Sequence, residues 1–284
     1  MSDLGNVRKD NTKFAAGWKG SDDYYQKRKL AEKGDANAQC SLGLLCVKNA
    51  SYDDAGTWFL RAAKKGNAEA YYELGHLYEN NKLKDVSGCD EKVIKYFGIS
   101  AILGFHKGQQ KLADCYFEGK HGVQKDQSLA REWYGYAAKQ NNAKAALKLA
   151  VLSHNTEEAY EWYKLAATNG SAEAQYECAL RCEDKKEKEK WLLASAGHEY
   201  VPASMMLADI YKADGSAESN RKAYNIYDQV YKKHNNADAA VKMAEMLTDK
   251  MSGIKQDIIL AKELIENAAK RKHPEALFKL DNMK

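Results

Sequence analysis

The stretch Asn67-Ala68-Glu69-Ala70-Tyr71-Tyr72-Glu73-Leu74-Gly75-His76-Leu77-Tyr78 decides the fold. Counted from Ala70 as an anchor, Leu74, Gly75 and Tyr78 stand four, five and eight residues on. At ~100° per residue these positions share one arc of about 140°, the buried face of an amphipathic helix. Two small residues on that arc let another backbone come close. The spacing recurs from Ala38, Gly108, Ala145, Ala174, Ala203, Ala239 and Ala276, at intervals of 29 to 38 residues. Each copy predicts a first helix, A.

A second pattern follows each A segment. It reads Ala55-x-x-Trp58-Phe59-x-x-Ala62-Ala63, Ala130-x-x-Trp133-Tyr134-x-x-Ala137-Ala138 and Ala159-x-x-Trp162-Tyr163-x-x-Ala166-Ala167, with weaker copies elsewhere. Spacings of three and four predict a second amphipathic helix, B. The connections agree with these boundaries. Gly34, Gly66, Gly104, Asn141, Gly170 and Asn235 follow B segments and tolerate the left-handed conformation that ends a helix. Asp35, Asn67, Asn142, Ser171 and Asn236 come next as N-caps for the following A helix. Asp126, Asn155 with Glu158, and Asp257 mark B-helix starts. Pro202 and Pro274 fall in the first turn of A helices, where a missing N–H costs nothing.

These residues resemble the Sel-1-like repeat, a relative of the tetratricopeptide repeat. The A pattern is matched best by residues 67–78. The family's inter-helix loop stands nearly whole at Gly119, Gly122, Val123 and Asp126, and in shorter form at Gly253, Ile254 and Asp257. The resemblance covers about residues 20–280. It implies an all-α, right-handed α/α superhelical solenoid of about seven helix pairs, forming one domain over residues 22–284. Residues 1–21 lie outside the pattern and are expected to be a flexible lead-in, and Tyr24 to Ala31 a degenerate opening B helix. Repeats anchored at Ala145 and Ala174 have short A–B loops without the Gly-Val element, and the charged run Glu183 to Lys190 reads as a solvated turn and helix face. The link at Tyr200 lacks both glycine and a polar cap. Asp281 stands where a small core residue belongs, as a polar terminal cap would.

Composition agrees. The 284 residues include two prolines and roughly forty alanines, a helical bias. Charged residues make up 30% and the net charge is +4, a weak footprint for nucleic acid despite basic stretches at Arg8 to Lys29 and Lys270 to Lys272. No apolar run approaches the ~20 residues that span a bilayer, and the amino terminus lacks the apolar stretch of a secretory signal, so a cytoplasmic chain without a membrane partner is expected. Six cysteines, two pairs of them within single helices, read as small buried thiols rather than disulfides or zinc ligands. No metal or cofactor is expected. The seven histidines are scattered over different repeats without a nucleophile–base arrangement, and Gly119 to Gly122 is too short for a phosphate loop.

Function is therefore sought on a surface. The second and sixth positions after each anchor point away from the buried arc. The second reads Cys40, Tyr72, Gln110, Leu147, Tyr176, Met205, Val241 and Phe278; the sixth reads Leu44, His76, Asp114, Val151, Leu180, Asp209 and Glu245. Aromatic and sulfur side chains flanked by acids have the composition of an interface. Relatives in the family hold proteins or peptides on the concave side lined by A helices. The expected site is therefore Tyr72, His76, Asp114, Leu147, Tyr176, Met205, Asp209, Glu245 and Phe278, with Tyr72, Tyr176, Met205 and Phe278 as anchors. The expected role is a non-catalytic scaffold or adaptor that binds a protein or peptide. An immunity or inhibitor protein that neutralises a toxin or effector is the narrower alternative, and an enzyme or small-ligand binder the remote one.

Overall fold

The computed structural model describes residues 22–83 and 88–282; the lead-in expected over 1–21 lies outside them. The described residues form sixteen α-helices and no strand. The chain divides into two compact units, residues 1–153 and 154–284. The first holds α1 (Asp22–Glu32), α2 (Ala36–Lys48), α3 (Tyr52–Ala63), α4 (Ala68–Glu79), α5 (Cys89–Ile102), α6 (His106–Glu118), α7 (Gln127–Ala138) and α8 (Ala143–Leu152). The second holds α9 (Thr156–Thr168), α10 (Ala172–Arg181), α11 (Lys185–Gly197), α12 (Val201–Asp214), α13 (Ala217–His234), α14 (Ala237–Thr248), α15 (Ile258–Lys270) and α16 (Pro274–Asn282). Each unit contains three complete A–B pairs, preceded by a B-type helix and followed by an A-type one. In chain order the helices alternate between an opening B helix, α1, and a closing A helix, α16, which is the expected repeat count.

Local chemistry places the helix ends where the sequence predicts them. The five predicted A-helix caps all accept a backbone N–H from the third residue on: Asp35 from Ala38 at 2.7 Å, Asn67 from Ala70 at 2.8 Å, Asn142 from Ala145 at 3.1 Å, Ser171 from Ala174 at 3.3 Å and Asn236 from Ala239 at 2.9 Å. Each such cap stabilises its helix by about 1 kcal/mol. Asp126, Asn155 and Asp257 cap their B helices in the same way, and Asp184 caps α11 at the start of the charged run. The six predicted terminators all have positive φ, from 48° at Asn235 to 95° at Gly34. Glu199 and Lys272 take the same conformation without glycine or asparagine, a use of φ > 0 the sequence does not signal.

All eight anchors are buried, as are the small residues five positions on in α2, α4, α6, α8, α10, α12 and α14. The close approach they permit is real. A methyl at Gly75 would lie 2.7 Å from the Phe97 ring of α5, so glycine is what lets that phenylalanine reach full burial. Gly43 stands against Phe59 of α3 in the same way. Three buried glutamines, not anticipated from the sequence, tie α2, α6 and α10 back to the B helix that precedes each. The Nε2 groups of Gln39, Gln109 and Gln175 donate to the carbonyls of Ala31, Ala101 and Ala167 at 2.9, 3.3 and 3.1 Å. Each of these carbonyls already receives the N–H of the glycine that ends its helix, Gly34, Gly104 or Gly170, and the glutamine adds a second donor to it.

Candidate interaction surface

The expected site residues fall on α4, α6 and α8 of the first unit and on α10, α12, α14 and α16 of the second. Many are engaged in holding repeats together. On α4, Tyr72 packs against Phe97 of α5 and against Phe105, the residue that replaces a polar cap ahead of α6, with ring centroids 5.9 and 5.5 Å apart. Tyr176 on α10 does the same with Tyr200 ahead of α12, at 5.6 Å. Wherever the N-cap is aromatic, it meets the second-position tyrosine of the preceding A helix. The polar cap missing at Tyr200 is thus replaced by a ring contact. Cys40 and Val241, also at the second position, are buried. His76 and Leu147 are less involved: His76 is exposed beside the Tyr72 ring, and Leu147 lies half-buried on α8.

The sixth-position acids have internal partners. Asp114 accepts from the Tyr134 hydroxyl of α7 at 2.6 Å and from Gln110 Nε2 at 2.9 Å. Asp209 accepts from the Tyr227 hydroxyl of α13 at 2.6 Å. In both pairs the buried B-helix aromatic is tyrosine. The pairs with Leu44 or His76 at that position have Phe59 or Phe97 instead, so in these four pairs the buried hydroxyl goes with an acid that accepts from it. Burial first, then the bond to the acid, pushes both tyrosine hydroxyls far above their ordinary range. Glu245 of α14 bridges Lys212 of α12 at 2.8 Å and Lys279 of α16 at 2.9 Å. Burial alone would raise this carboxyl, but the two lysine hydrogen bonds outweigh it and bring it down to about 2.

Three expected residues do come together at one open surface. Tyr176, Met205 and Asp209 line a cleft of about 560 Å³ with Pro202, Met206, Ile210 and Ala213. All but Tyr176 lie on α12. Pro202, Met206, Ile210 and Ala213 recur at helical spacing, a second apolar stripe beside the buried one of Ala203, Leu207 and Ala208. The stripe is uncovered because α10 is short. Cys115 of α6 and Met246 of α14 occupy the same repeat position as Ile210 and are 4% and 1% exposed; Ile210 is 38% exposed. The A helices ahead of those two, α4 and α12, run 12 and 14 residues, whereas α10 runs 10 and stops at Arg181. The notch is what a full-length neighbour would fill. Phe278, on the closing helix, is 70% exposed. Sequence reading missed Pro202, Met206, Ile210 and Ala213, although the 29-residue interval after Ala174 signals a truncated repeat.

This chemistry suits binding. The thiols of Cys40 and Cys115 are pushed up to about 12 and that of Cys178 to about 11, chiefly by burial, which leaves them protonated and poorly nucleophilic at neutral pH. Among the described residues no three His, Cys, Asp or Glu side chains converge as metal ligands. Among the same residues, no helix is long and apolar enough to cross a membrane.

Known proteins resemble the chain in both sequence and fold. A family model described as the Sel1 repeat matches residues 36–67, 68–82, 106–142, 144–171 and 237–273. Chitin synthase regulatory factor 3 of Schizosaccharomyces pombe is 32% identical over 114 residues, which are 36% of this chain and 12% of that protein, so the chain spans only a small part of this relative. A protective antigen of uropathogenic Escherichia coli strains with an SLR fold superposes with a TM-score of 0.72 at 24% identity, covering 92% of this chain and 59% of that one. A Sel1 repeat protein from Oxalobacter formigenes gives 0.65 at 21% identity, covering 82% of this chain and 99% of its own. Matched over more than half of its residues, the chain belongs to the Sel1 repeat family, whose proteins generally mediate protein–protein interaction.

Proposed function

We propose that this protein is a non-catalytic interaction scaffold that takes a protein or peptide partner on the outward face of its A helices. The observation that carries this reading is the apolar cleft on α10 and α12, where the half-buried Tyr176, Met205 and Met206 meet the exposed Pro202, Ile210 and Ala213. A helix apolar on two sides is ordinarily buried on both. The sulfur-rich wall of Met205 and Met206 suits an interface, because thioether side chains adapt to a partner's shape. Among the expected anchors, Met205 and Phe278 carry the binding role best, since Tyr72 and Tyr176 also hold neighbouring repeats together.

Met205→Ala with Phe278→Ser tests the reading without replacing a fully buried residue, although the half-buried Met205 packs against the core of the second unit. Full-length protein immobilised as bait should lose at least about tenfold of its captured partner, as hot-spot anchors do, while its helical circular dichroism at the binding temperature stays as in the parent. Undiminished capture by the folded double variant would remove the outward face of the A helices from the binding site. A tight one-to-one complex with a toxin, blocking its activity, would mark the narrower inhibitor role.

A further inference from the structure

Beyond the general interaction role, on which this inference rests, we propose that the notch left by the short helix α10 takes a peptide segment of another protein that presents a bulky aliphatic or aromatic side chain flanked by lysine or arginine. The apolar half of this assignment comes from the stripe Met206, Ile210 and Ala213, uncovered only where α10 ends early. The volume of about 560 Å³ holds one or two large side chains, not a folded domain. The basic half comes from charge. Asp209 is the charged member of the lining, and its carboxylate receives a neutral tyrosine hydroxyl, so its negative charge is not cancelled. Glu173 and Glu177 both act electrostatically on Tyr200, whose ring packs on Tyr176 at the wall of the notch. Glu177 is paired with Arg181, whereas Glu173 is exposed and has no ion pair among the described residues. Lys212, the basic residue three positions beyond Asp209, is turned to Glu245 of the next A helix. An apolar slot with the Asp209 carboxylate in its lining favours a cationic apolar ligand over an acidic one.

The test uses a random peptide library displayed on phage, selected against the immobilised full-length chain, followed by fluorescence anisotropy on the best synthetic peptide. Selected sequences should pair a large apolar residue with adjacent lysine or arginine. Ile210→Ser should weaken the best peptide by about tenfold or more, as should Ala213→Trp, which fills the notch from an exposed position. Asp209→Asn with Glu173→Gln keeps an acceptor for Tyr227 and removes both charges. It should weaken binding by several-fold and flatten the dependence on salt. Enrichment of acidic or uncharged peptides overturns the basic half. A selected peptide that binds Ile210→Ser and Ala213→Trp as tightly as the parent overturns the notch and leaves the scaffold reading standing. A parent that sediments as a dimer, made monomeric by Ala213→Trp, gives the notch to a second copy and overturns the proposal. No enrichment over a blank surface counts against both the notch and the scaffold reading.

Discussion

Glu73 shows how much a single carboxylate in this repeat array depends on its surroundings. It sits on α4 one residue after Tyr72, and burial first, then the charge of Glu69, pushes it from 4.5 to about 7, against a smaller opposing pull from Lys107. A carboxyl whose folded pKa lies above its unfolded value holds its proton longer in the folded state. Stability therefore falls as pH rises from about 4.5 to 7, and the whole loss is present above that window. Glu73→Gln should accordingly raise the melting temperature at pH 8, change it little at pH 4, and flatten the decline between. An equal change at both pH values would show that Glu73 is not protonated in the folded state near pH 5. Asp114 and Asp209 illustrate the opposite case, acids that are structural because a buried tyrosine needs them. From the sequence alone both read as acids flanking an interface row, with no sign of the hydroxyl that each accepts. Nothing in their own position distinguishes a solvent-facing aspartate from one that accepts a hydroxyl from a helix some twenty residues away.

Helices of this protein are joined by small, repeated devices rather than by one large core. Within the second unit, Glu245 ties α12 and α16 to α14 through two lysines. With its folded value lowered from 4.5 to about 2, this carboxylate contributes stability that is fully present above about pH 4.5 and is lost as the pH falls toward 2. Urea midpoints followed from pH 7 to pH 2 should drop over that window in the parent. In Glu245→Gln the midpoint should be lower at pH 7 and the acid-side decline shallower. A variant with the parent's full acid profile would locate the sensitive carboxylate elsewhere. In the first unit the corresponding strap is the ion pair of Lys111 on α6 with Glu79 on α4, at 2.7 Å. Both straps join successive A helices, so Glu245, itself one of the expected interface residues, also sets the spacing between them.

At the scale of the whole molecule, each buried residue answers to its neighbouring repeats, and stability is a sum of nearest-neighbour terms. Leu74, fully buried on α4, packs within the cluster formed by α1 to α4. Removing most of such a side chain costs about 2–5 kcal/mol. Leu74→Ala should therefore speed amide hydrogen exchange most in α3, α4 and α5, with α8 of the same unit close to parent protection. Uniform acceleration across the unit would mean that it opens as one cooperative block.

The residues themselves determined the helices, their ends and their pairing, because those depend on signals no more than eight residues apart: the arc of small and apolar side chains, the caps, and the left-handed terminators. The family resemblance followed from the same local patterns. What only the tertiary structure decided is which outward side chains remain free. Tyr72 and Tyr176 share one repeat position with Met205 and Phe278, yet the first pair meets aromatic rings from the next repeat. Ile210 shares its position with the buried Met246, yet lies open because another helix, more than twenty residues upstream, stops one turn short of it. Exposure belongs to the fit between helices, and no local pattern encodes where a neighbour ends.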